Sequence, residues 1–126
     1  MRKIGIVLVS AVTFLSAPLQ AADKKVATQQ EESFMLGRVV SAVTDSAGGY
    51  TKEALSKFKS INRDLQKRQY SQRLNWQAHY WYGKTLVDAN KKELAIPLLE
   101  TAQKEAESLG EEEQRKTKSE LLRAQM

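Results

Sequence analysis

Cysteine is absent from the 126 residues, histidine occurs once, at His79, and proline occurs only at Pro18 and Pro97. Without cysteine there is no thiol nucleophile, no thiolate metal site and no disulfide, so a small fold must hold together by packing alone. A single histidine leaves no multi-histidine metal centre, and with cysteine absent as well nucleophilic triads are nearly excluded. No Gly-rich phosphate loop is present. Carboxylates cluster only at Glu31 with Glu32 and at Glu111, Glu112 and Glu113, runs that read as solvated faces rather than a converging acid and base. The chain reads as a non-enzyme, with no catalytic residue, no cofactor and no metal.

Long apolar runs are scarce as well. The one present, residues 4–15, follows Arg2 and Lys3 and precedes the small residues Ala21 and Ala22. Basic start, short apolar run and small-residue end form the pattern of a cleavable secretory signal over 1–21. The run is too short to cross a bilayer as a helix, which takes roughly 20 residues. Cleavage after Ala21 places Leu19 and Ala21 at the recognition positions, and cleavage after Ala22 is the alternative. The expected address is the periplasm or the cell exterior, with no stable membrane anchor after cleavage. Loss of Arg2 and Lys3 lowers the formal charge from +5 to +3, too mild to imply nucleic acid. The remainder is enough for one domain.

Strand-like alternation is missing, and helical spacing dominates. Residues 22–32 are polar and read as a flexible leader. A first helix is expected over 33–45, where Leu36, Val39, Val40 and Val43 repeat at three and four residues, widened by Phe34 and Met35. Gly48 and Gly49 end it. Thr51 reads as the N-cap of a second helix carrying Leu55, Phe58, Ile61 and Leu65 to about Lys67. A third, over 72–89, has Leu74, Ala78, Trp81, Tyr82, Thr85, Leu86 and Ala89 on one stripe, with Trp76 and Tyr80 partly off it. A fourth starts near Lys92, holds Pro97 at the end of its first turn and is capped by Gly110. The charged segment after Glu111 suits a fifth helix, acidic at its start and carrying Arg123 near its end. The fold class expected is all-α, about five helices in antiparallel hairpins.

Within that pattern Trp76, Tyr82, Gly83, Leu86, Ala95, Leu99 and Ala102 stand at intervals that resemble a tetratricopeptide repeat. Gly83 and Ala95 are 12 apart, Ala95 and Leu99 four, Leu99 and Ala102 three. Two positions depart from the family pattern: His79 stands where a large apolar residue is usual, and Glu107 where proline is common. The clear repeat covers 76–109. A degenerate hairpin, 33–67, precedes it with Ala54, Phe58 and Ile61 in similar spacing, and about seven residues separate the two beyond a 34-residue period. Residues 111–124 are expected to act as a capping helix.

The resemblance implies a protein-binding module rather than a reaction centre. In the family the exposed face of the first helix lines a groove, and the matching positions are Gln77, Tyr80, Lys84 and Asp88. Tyr80 beside Lys84 would offer an apolar plate next to a cation, suited to a peptide with an acidic or C-terminal carboxylate group. The function expected is an exported adaptor binding a protein or peptide partner in the bacterial envelope, with self-association left open and no nucleic acid. The rival is an inhibitor or immunity protein directed at a toxin or wall hydrolase, acting through a protruding loop at 46–50. The basic patch Lys67, Arg68, Tyr70 and Arg73 reads as a solvated connection, or as a contact for an acidic partner.

Overall fold

The computed structural model describes residues 24–126, so the expected signal sequence and its cleavage positions lie outside the described residues. Five helices follow one another: α1 Gln29–Ala47, α2 Thr51–Asp64, α3 Gln72–Asp88, α4 Lys92–Ala106 and α5 Glu111–Gln125. A 3-10 turn, Leu65–Lys67, extends α2. No strand forms among the described residues, and the fold is all-α. None of the described helices is long and apolar enough to cross a membrane.

The helix ends correct several local expectations. α1 starts four residues early because Thr28 and Glu31 form a capping box, the Thr28 hydroxyl accepting from the Glu31 N–H at 3.1 Å and the Glu31 carboxylate from the Thr28 N–H at 2.9 Å. The supposed flexible leader over 22–32 is therefore helical from Gln29. The residues just before it are tied down too, since the Ala27 N–H donates to the Gln69 carbonyl at 3.0 Å and the Gln69 N–H to that of Lys25 at 2.8 Å. Thr51 is the first residue of α2 rather than its cap. Gly110 stands at the entrance of α5 with φ 143°, not at the end of α4, which stops at Ala106. Pro97 is the sixth residue of α4, in its second turn, on the exposed side of the helix.

Buried positions recur at an interval of 41 residues, the separation of Trp76 from Thr117. On α1 they are Met35, Val39 and Ala42, and on α3 Trp76, Tyr80 and Gly83. α2 buries Ala54, Phe58, Ile61 and Leu65, and α4 buries Ala95, Leu99, Ala102 and Ala106. The turns match as well: Gly49 and Asn90 both adopt positive φ, at 89° and 63°, a conformation that Gly and Asn reach at least cost. The hairpins α1–α2 and α3–α4 are thus two structural copies. α5 continues the interval with Thr117, Leu121 and Ala124 and turns these residues onto α3 and α4.

α1, α3 and α5 run parallel and in register. The Glu32 carboxylate accepts from Ser71 at their starts and Thr85 bonds to Ser46 at 3.3 Å near their ends, while Arg73 meets Glu113 at 2.9 Å. α2 packs against both α1 and α3, and α4 against both α3 and α5. Small residues set the closest approach: a Cβ on Gly83 would lie 2.6 Å from Leu99 Cγ. Tyr82 joins the two halves by stacking on Phe58, ring centres 5.5 Å apart, and Leu86 is buried in the second half.

Candidate functional site

Each first helix of a hairpin has two flanks beside its buried stripe. The flank of α3 turned away from α2 and α4 carries Arg73, Gln77, Lys84 and Asp88, with α1 on one side and α5 on the other.

On the α5 side this face is closed. Tyr80 is only 6% exposed. Its ring stacks on Trp76 at 5.1 Å and meets Trp81 edge-on at 5.1 Å. Leu121 and Ala124 share the same buried cluster. Burial, with a smaller push from Glu120, raises the Tyr80 hydroxyl above its ordinary pKa. Tyr80 is therefore a core residue, and the expected apolar plate beside Lys84 does not form. The cause is α5: Trp76 Nε1 donates to Thr117 Oγ1 at 2.8 Å, and that hydroxyl donates to the Glu113 carbonyl at 2.7 Å, so both groups are satisfied as the helix packs over them. Lys84 and Asp88 are drawn into the same closure. They lie 3.3 Å apart, Lys84 is 4.0 Å from Glu120, and Arg123 is 2.9 Å from Asp88.

On the α1 side the face stays open. Gln77 lies half-buried in a shallow hollow with Ser33, Leu36 and Arg73. Leu36 is 41% exposed and Val40, one turn on, 55%. Trp81, the counterpart of Val40 in the second copy, packs against both halves of the core. Of the four anticipated groove residues, the structure leaves Gln77 at the open hollow, ties up Lys84 and Asp88, and buries Tyr80. Leu36 and Val40 were the residues missed, because helical spacing alone put them on the buried stripe of α1. Their correspondence with Gln77 and Trp81 at the 41-residue interval was the signal available. An apolar strip beside an amide and a guanidinium can bury a partner's side chains and hydrogen-bond its backbone.

The remaining sites are structural. Residues 46–50 form a tight turn, with N–H donations from Gly48 to Thr44 at 3.0 Å, Gly49 to Ser46 at 3.1 Å and Tyr50 to Asp45 at 2.8 Å; Ala47, Gly48, Gly49 and Tyr50 are exposed. In the basic patch, Lys67 pairs with Asp64 at 3.2 Å, Arg68 with Glu31 at 3.3 Å and Arg73 with Glu113 at 2.9 Å. Among the described residues no group of three or more His, Asp or Glu side chains is placed to hold a metal ion. No protein-family model, no curated protein and no solved structure matches the chain.

Proposed function

We propose that this chain is an exported, tetratricopeptide-like interaction module, an adaptor that holds a protein or peptide partner in the bacterial envelope. The observation that carries the reading is the pair Leu36 and Val40, both exposed on the α1 face beside Gln77 and Arg73. Two large apolar side chains one turn apart and exposed among the described residues suit a segment laid along the α1–α3 hollow. The helical-hairpin copies supply the rigid frame. Export rests on the pattern of residues 1–22.

Two measurements test this. Affinity capture from envelope extracts, with the protein and with a Leu36→Glu/Val40→Glu variant, is expected to recover a partner with the first and lose it with the second. Circular dichroism should show the same helix content in both, since exposed substitutions usually change stability by no more than about 0.5 kcal/mol. Equal capture by both proteins overturns the assignment of the face. Cell fractionation with N-terminal sequencing is expected to find the protein outside the cytoplasm and starting at Ala22 or Asp23.

A further inference from the structure

We propose that the outer edge of the α1–α2 hairpin is a second docking site, and that its occupant is an acidic amphipathic helix of a partner protein. This edge is the flank of α1 opposite the Leu36 and Val40 face, and the inference stands independently of that one.

An open groove of about 560 Å³ runs along the edge between Phe34, Gly37 and Ser41 of α1 and Lys57 and Ile61 of α2. Phe34 is 71% exposed. A Cβ built on Gly37 would meet nothing within 4 Å. The 41-residue correspondence shows what such a flank does inside the array. The counterparts of Gly37 and Ser41 are Ala78 and Tyr82 on α3, and there α2 covers them: Ala78 is buried in the first core cluster and the Tyr82 ring stacks on Phe58. In the second copy, therefore, a helix fills the place that is empty beside α1 among the described residues. Arrays of this kind need end helices with polar outer faces. α5 largely meets that need with Gln114, Arg115, Lys118 and Ser119 exposed and Leu122 the one exposed large apolar residue on its outer face, 53% exposed, whereas the α1 edge presents Phe34 at 71%.

Charge selects the kind of helix. Lys52, Lys57, Lys59, Arg63, Lys67 and Arg68 lie on α2 and the turn after it, against only Glu53 and Asp64, and the other described residues balance in formal charge. The positive excess of the described chain thus sits on α2 and the turn after it; of these cations Lys57 lines the groove, paired with Asp45 at 2.7 Å. A partner rich in carboxylates is drawn to it and a basic one repelled. A second copy of this chain would bring two such basic helices together, which disfavours it as the occupant.

The probe is a set of 18-residue helical peptides bearing Leu, Ile and Phe on one face, patterned on the α2 face with Leu55, Phe58 and Leu65, and glutamate elsewhere, with lysine-for-glutamate versions as controls. Amide chemical shifts and fluorescence anisotropy are followed with the purified protein. Expected are saturable binding by acidic peptides, weakening with salt, shift changes centred on Phe34, Gly37 and Ser41, and at least a tenfold loss of affinity in Gly37→Leu. That variant fills the groove while improving helix propensity, so it keeps the fold. Four results overturn the proposal: no acidic peptide binds; the lysine peptides bind equally; Gly37→Leu binds undiminished; or the shifts map to the Leu36 and Val40 face. A dimer that Gly37→Leu disperses would make a second copy the occupant, and equal affinity for phosphatidylglycerol vesicles, insensitive to Gly37→Leu, would make it a lipid surface. Either outcome also overturns it.

Discussion

His79 Nδ1 lies 2.9 Å from Glu105 Oε1 across the α3–α4 hairpin, at the two positions that follow by 41 residues the Arg38 and Asp64 side chains, which meet at 3.0 Å across α1–α2. The copies therefore share a polar clasp as well as a core. His79 and Glu105 are thus paired across the second hairpin as Arg38 and Asp64 are across the first.

The first clasp predicts an acid-sensitive stability. The Arg38 guanidinium first, then Lys67, with a weaker share from Arg63, holds the Asp64 carboxyl down at about 2, against an ordinary 3.8. A depressed carboxyl stabilises the fold at pH values above its ordinary pKa, and that contribution fades as pH falls toward the folded value. Urea unfolding of the protein and of Asp64→Asn across pH 2 to 7 is expected to show a stability gap near pH 6 that closes between about pH 4 and pH 2. A gap that persists at pH 2 would assign the effect to something other than the charge.

Gly83 and Gly37 are both inside helices, yet their alanine variants are predicted to differ in sign. At Gly37 the new Cβ enters open space and gains roughly 0.5–1 kcal/mol of helix propensity. At Gly83 it would press on Leu99 Cγ, a fully buried side chain with little room to give, and overpacking costs about 1–3 kcal/mol. Thermal melts that moved both variants in the same direction would contradict this.

The same contact predicts coupling. Leu99→Ala alone is expected to cost about 2–5 kcal/mol. In the Gly83→Ala/Leu99→Ala double variant the added methyl occupies part of the space left behind, so the combined cost should fall short of the sum of the single costs by about 0.5–3 kcal/mol. Denaturant midpoints of the four proteins measure it, and strict additivity would show that the two residues do not press on each other.

Thr117→Val tests how α5 is held. The change keeps the shape but leaves Trp76 Nε1–H buried without its acceptor, at a cost of about 1–3 kcal/mol. Tryptophan emission should shift to the red in this variant as α5 loosens over Trp76 and Tyr80. Unchanged stability and emission would mean that the bond contributes nothing to docking.

Much of the frame was legible. Gly48 and Gly49, the spacing of Ala54, Phe58 and Ile61, and that of Ala95, Leu99 and Ala102 point to hairpins because the information is local: turn conformation, and a buried stripe every three to four residues. The Thr28 and Glu31 capping box was legible too, but the polar run around it resembled a leader. The seven residues between the copies beyond a 34-residue period are the mark of a 41-residue unit. Trp76 and Tyr80 misled, since they fall off the stripe that faces α2 and are buried by a different helix.

The all-α class, the order of the helices, the repeated small and large core positions and the lack of thiol or multi-histidine chemistry all follow from local residue pattern and composition. Which flank of each helix meets water depends on contacts between residues far apart in the chain. Periodicity reports that a helix has a buried side, but α3 has two, one covered by α2 and the other by α5, and the second depends on Thr117 reaching Trp76 from 41 residues away. That distant contact takes Tyr80 out of the candidate groove. Of the corresponding flanks of α1, the one bearing Met35 and Val39 is buried, whereas the one bearing Gly37 and Ser41 has no such cover among the described residues and leaves Phe34 exposed.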